Sequence, residues 1–174
     1  MINKLACTGT GVIVAIWLCL GGAYAQATSP AQGSTQRAMD MATQARGMFE
    51  VKLNPQPPDD NSGDLTVGRM SIEKHFHGDL EATSQGQMLT AMTDVKGSAG
   101  YVAIERVRGT LHGRTGSFAL QHSGTMTRGT PQLSVTVVPD SGTGQLVGLA
   151  GTMDIKITDG KHFYEFDYTL PKAP

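Results

Sequence analysis

Tyr101–Met126 reads YVAIERVRGTLHGRTGSFALQHSGTM. Its apolar residues recur at every second position: Val107 and Leu111 in the first half, Phe118, Leu120 and Met126 in the second. Period two is the mark of a strand with one buried face. Between the halves lies Gly113-Arg114-Thr115-Gly116, which reads as a turn. A two- or four-residue loop there sets Leu111 opposite Phe118, Gly109 opposite Leu120, Val107 opposite His122 and Glu105 opposite Gly124. A three-residue loop would turn Phe118 and Leu120 away from Val107 and Leu111, so the apolar pattern selects the first register. That register makes Glu105 a diagonal neighbour of His122, within reach of its side chain.

The same texture extends outward in both directions. Met48–Asn54 alternates Phe49, Val51 and Leu53 with Glu50 and Lys52, and Pro55-Gln56-Pro57-Pro58 is expected to end it. Asp59–Asp64 reads as a loop and Arg69–His77 as a strand with Met70, Ile72, Lys74 and Phe76 in phase. In Leu80–Met92 the phased residues are Leu80, Ala82, Ser84, Gly86 and Met88, and Gly97–Gly100 makes a turn. Downstream, Gln132–Val138 is a strand, Pro139–Gly144 a loop and Leu146–Leu149 a short extended piece. Thr152–Thr158 and Lys161–Leu170 are joined by Asp159-Gly160, the preferred pair for a type I′ hairpin. That turn pairs Thr158 with Lys161, Ile157 with His162, Ile155 with Tyr164 and Met153 with Phe166. About eight strands and no sustained helical period after residue 47 predict an all-β, antiparallel eight-stranded barrel, the closed form that leaves no edge. An eight-stranded interior is either filled by side chains or holds one small ligand.

Three polar residues fall in phase with the apolar face: Lys74, Glu105 and His122. Buried charges need partners, so the three are expected to share one network, with hydroxyls from Tyr101, Tyr164 and Tyr168 available to the same interior. A carboxylate beside an imidazole is also the makings of a general acid/base pair. Val102 and Ile104 are apolar on the opposite phase, which leaves open that Arg106 faces inward instead; exposed, they would suit a subunit interface. His75-x-His77 sets two imidazoles on one strand face without a third ligand and reads as solvated, so no metal is expected. Gly142–Gly148 has the wrong spacing for a dinucleotide loop and precedes a strand, so no cofactor is expected.

The chain begins with MINK, an apolar core Val12–Leu20, then Gly21-Gly22 and Ala23-Tyr24-Ala25, the anatomy of a secretory signal peptide over residues 1–25. Its apolar core falls well short of the ~20 residues that span a bilayer. Cleavage after Ala25 leaves 149 residues, carries away Cys7 and Cys19, and places the protein in the periplasm or outside the cell. Stability must then come from a packed core without disulfides. With 13 basic and 15 acidic residues left and no basic run, a nucleic acid partner is not expected, nor a membrane after cleavage. Residues 26–46 read as a flexible leader in which Ala38–Arg46 could form a short helix, residues 47–170 as the barrel domain and 171–174 as a tail.

The blocks RMSIEKHFHGDLEATSQGQML, GSAGYVAIERVRGTLHGRTGSFALQHSGTM, VVPDSGTGQLVGLAGTM and DGKHFYEFDYTL together resemble the bacterial family catalogued as domain of unknown function 3224. That family looks like a relative of the allene oxide cyclase and dirigent barrels, through Ser141–Gly151, which is similar to their glycine-rich loop. The resemblance implies an eight-stranded barrel with a lumen, often a homotrimer. It carries no reaction across: Leu146 stands where those enzymes usually have an aromatic, and none of their catalytic residues can be matched here. Three expectations follow: a small apolar ligand held in the lumen, an isomerase- or cyclase-type enzyme using that lumen, or a packed barrel with no ligand.

Overall fold

Residues 42–57 and 65–171 are described by the structure, a computed structural model. The expected signal peptide, the leader up to residue 41, residues 58–64 and the tail from 172 lie outside the described residues. The strands are β1 (Thr43–Gln56), β2 (Leu65–Gly78), β3 (Leu80–Thr93), β4 (Ala99–Leu111), β5 (Arg114–Thr127), β6 (Thr130–Val137), β7 (Ala150–Thr158) and β8 (Lys161–Thr169). They form a closed antiparallel barrel in which each strand pairs with its chain neighbours and β1 closes on β8.

The inward phase is the expected one. Ile72, Lys74 and Phe76 on β2, Leu80, Ser84 and Met88 on β3, Glu105 and Val107 on β4, and Leu120 and His122 on β5 are all buried. Val102 and Ile104 point outward at 54% and 51% exposure, which settles β4: Glu105 faces in and Arg106 faces out. With Leu89, which lies opposite Val102, they make an apolar strip on the outer wall. The Asp159-Gly160 hairpin has the expected register throughout, with both turn residues at positive φ.

Four local features differ from the sequence reading. The β4–β5 turn is His112-Gly113, at φ 45° and 78°, rather than Gly113–Gly116. Leu111 therefore faces Arg114, Val107 faces Phe118 and Glu105 faces Leu120. Both central positions of a type I′ turn need φ > 0, and histidine is among the residues that tolerate it. His112 is held there by its N–H donating to Asp79 O at 2.9 Å and by Nδ1 against the Tyr168 hydroxyl at 2.7 Å. Second, β1 starts at Thr43, so Thr43–Arg46 is strand paired to β8 rather than leader or helix. Third, β1 runs through Pro55 to Gln56; its pairing with β8 stops at Phe49↔His162, so Pro55 faces no second ladder. Fourth, Leu146–Leu149 is not extended: Gly144–Leu146 is a single 3-10 turn, and Leu146 and Leu149 are buried.

That last segment closes one end of the barrel. Residues 138–145 run along the first half of β5 in place of a strand: Thr143 N–H donates to Ser117 O, Thr115 N–H to Gln145 Oε1, and Ala119 N–H to Ser141 Oγ. Leu146 and Leu149 pack with Phe118, Phe166, Tyr168, Leu111 and Leu80 into a continuous core that fills this end. The opposite end is not filled; β6 meets β7 through one register pair only, Thr136↔Thr152, which lies beside the packed core residues Val135, Val137 and Met153 rather than at that open end.

Candidate functional site: a polar cluster at the floor of the lumen

The open half of the barrel encloses a cavity of about 500 Å³. Its walls are Val51, Met70, Ile72, Met88, Met126, Leu133 and Ile155, with Leu53, Met92 and Ile157 at the rim. Rim side chains that point inward yet stay exposed, Met92 at 60% and Ile157 at 66%, mark this end as open. Phe49, Tyr101, Lys74, His122 and His162 also line the cavity. A second depression, around Arg46, His77, Phe163 and Glu165, lies on the outer wall and has no buried polar cluster.

At the floor Glu105 gathers three partners. Its Oε1 accepts from Lys74 Nζ at 2.7 Å and from His122 Nε2 at 2.9 Å, and its Oε2 accepts from Ser84 Oγ at 2.8 Å. All four are buried, Glu105 completely, Lys74 at 5% and His122 at 3% exposure. Burial pushes the Glu105 carboxyl up, but the hydrogen bond from His122 and the charge of Lys74 more than reverse this and hold it at about 2. The position across from Glu105 on β3 is Gly86; a Cβ there would lie 2.6 Å from the Glu105 Cβ and 2.5 Å from Ile104 O. Glycine is thus what lets the carboxylate sit between β3 and β5.

Lys74 uses one of its three N–H donors on Glu105, and its ammonium stands 4.9 Å from the Phe49 ring centre and 5.7 Å from that of Phe76. Among the described residues, His122 Nδ1 has no hydrogen-bond partner. Both side chains therefore present unused polar capacity to the cavity they line.

Tyr101 lies on the lumen wall, its ring packed over the bare face of Gly124 opposite. Burial and then the Glu105 charge raise its hydroxyl pKa. Tyr164 and Tyr168 are elsewhere. The Tyr164 hydroxyl accepts from Leu80 N–H at 2.9 Å and donates to His77 O at 3.3 Å, tying the β2–β3 turn; burial pushes it up to about 12. Tyr168 meets His112 at the filled end. Of the six expected side chains, Lys74, Glu105 and His122 meet directly, Tyr101 lines the same space, and Tyr164 and Tyr168 do not reach it. Ser84 is legible as inward-facing, but its bond to Glu105 depends on the β3–β4 register, which the turn read at Gly97–Gly100 does not fix, since β4 already begins at Ala99. His75 and His77 lie on the exposed side of β2, with His77 Nε2 3.0 Å from Glu50 Oε2. No group of three His, Cys, Asp or Glu among the described residues is placed to hold a metal.

Comparison with known proteins bears on the fold and the family. Residues 45–168 match the family described as protein of unknown function (DUF3224). A solved structure of a DUF3224 protein of unknown function from Shewanella oneidensis MR-1 is 55% identical, with a TM-score of 0.73, covering 76% of this chain and 99% of that one. No curated protein matches the chain. A match over nearly every strand of the barrel, together with that identity to a solved relative, makes this chain a member of the DUF3224 family.

Proposed function

We propose that the barrel binds one small, largely apolar molecule in its lumen. The observation that carries this reading is the cavity of about 500 Å³, walled by aliphatic and thioether side chains and floored by a cluster with spare hydrogen-bonding capacity. Pockets of this size and character hold most small ligands, with a few polar groups fixing orientation. The thioethers of Met70, Met88, Met92 and Met126 make the wall adaptable in shape. The secretory leader expected over residues 1–25 supports a setting in the periplasm or outside the cell.

Titrating the purified protein with the neutral fluorophore N-phenyl-1-naphthylamine tests the reading. Saturable binding at one site per barrel is expected, and Met88→Trp, which fills the cavity, is expected to abolish it while leaving the circular dichroism unchanged. Absence of saturable binding in the unsubstituted protein refutes a ligand-holding lumen.

One observation favours an enzyme as the second reading. Glu105 orients an imidazole whose other nitrogen faces the cavity, the arrangement of a general base held by a carboxylate. An isomerase or cyclase of this kind converts the molecule it retains. Native mass spectrometry of the bound species before and after incubation separates converter from carrier.

A further inference from the structure

The charge and donor pattern at the lumen floor narrows what kind of polar end the ligand carries; the inference rests on the lumen reading above. Lys74 and Glu105 cancel each other's charge. A neutral imidazole then leaves the cluster uncharged, with Nε2–H donating to Glu105 Oε1 and the Nδ1 lone pair open to the cavity. In that state Lys74 offers only donors and His122 Nδ1 only an acceptor, and both side chains are held by the same carboxylate oxygen at 2.7 and 2.9 Å. The complement of that pair is one acceptor and one O–H donor on neighbouring atoms.

We propose that the lumen takes a small organic carboxylic acid together with one proton, its carbonyl oxygen accepting from Lys74 Nζ and its hydroxyl donating to His122 Nδ1, with its apolar body lying along the methionine wall. Whether the proton rests on the acid or passes to His122 Nδ1, the balance is the same: one carboxylate and one proton enter, and no bond to carbon changes. A bare carboxylate would leave one uncompensated negative charge in an apolar cavity, which is costly. An ester lacks the donor, and an amine places a cation against Lys74. The other titratable groups lining this space are Tyr101, from β4, and His162, from β8, whose ring centre lies 5.1 Å from that of Phe49, the two rings tilted by 31°.

The test is calorimetry of the purified protein near neutral pH with dodecanoic acid, its methyl ester and dodecylamine, each in two buffers of different ionisation heat. Dodecanoic acid is ionised in water at that pH. It is expected to bind with uptake of about one proton, and its affinity to fall about tenfold per unit rise in pH. The ester and the amine are expected to bind at least about tenfold more weakly, a difference of ~1.4 kcal/mol. Lys74→Met is expected to bring the acid down to the level of the ester. Equal affinity for acid and ester without proton uptake overturns the head-group assignment and leaves the apolar lumen standing. If none of the three probes binds, the lumen reading itself fails. Because proton uptake is read on the unsubstituted protein, the test does not depend on the variant folding.

Discussion

Glu105 accepts three hydrogen bonds with none of its surface exposed, and the barrel depends on its being ionised. Its folded-state pKa, about 2, lies below the ordinary glutamate value of 4.5. The sign follows from linkage: the stabilisation is fully present above 4.5 and drains away as pH falls through the window down to about 2. Urea midpoints across this acid range are expected to drop steeply, and Glu105→Gln to flatten that dependence. The same substitution strands the Lys74 ammonium in the interior, at a cost of about 3–5 kcal/mol near neutral pH. Lys74→Met in that background is expected to recover part of the loss, since the stranded charge goes with it. A flat acid profile in the unsubstituted protein would show that folding does not lower the Glu105 pKa. Much of this cluster was legible in the sequence for a geometric reason. Glu105 faces Leu120 rather than Gly124, yet His122 lies two residues from either position, so the diagonal contact survives a misplaced turn.

Among the elements, the β4–β5 hairpin separates what alternation reveals from what it hides. Moving the turn from Gly113–Gly116 to His112-Gly113 shifts the register by an even number of residues, so every side chain keeps its face while its partner changes. Hydrophobic period therefore recovers which residues face inward on β2 to β5 and says nothing about even slips. The 138–149 connection escaped for a different reason. Leu146 and Leu149 look like strand residues, but they are buried by a 3-10 turn capping the barrel end, and no local pattern distinguishes the two. Gly86 is where element geometry and site meet. Gly86→Ala sets a methyl against Ile104 O and the Glu105 Cβ, so β3 and β4 must part. Destabilisation of about 1–3 kcal/mol is expected, read from urea unfolding, together with weaker lumen binding. Unchanged stability would mean that the β3–β4 spacing is looser than the register implies.

Across the barrel, stability is unevenly distributed. One end is packed with aromatic and aliphatic side chains from Phe76 to Phe166, while the other is a rim of exposed methionine, leucine and isoleucine around a cavity. The wall has one weak joint, since β6 and β7 share a single register pair whereas β6 pairs with β5 along the whole length of β6. Native-state hydrogen exchange is expected to find the joint-facing amides of β6 and β7 exchanging well ahead of those in β4 and β5; uniform protection around the barrel would contradict this. Beyond Thr136 and Thr152 the two strands run past Leu133, Ile155 and Ile157, all of which line the cavity. Away from that one pair, the lumen wall between β6 and β7 is therefore held by side-chain packing rather than by ladder bonds. A molecule leaving sideways through it has to displace side chains but break almost no ladder bonds. Residence time and fold stability then answer to different residues, and either can change without the other.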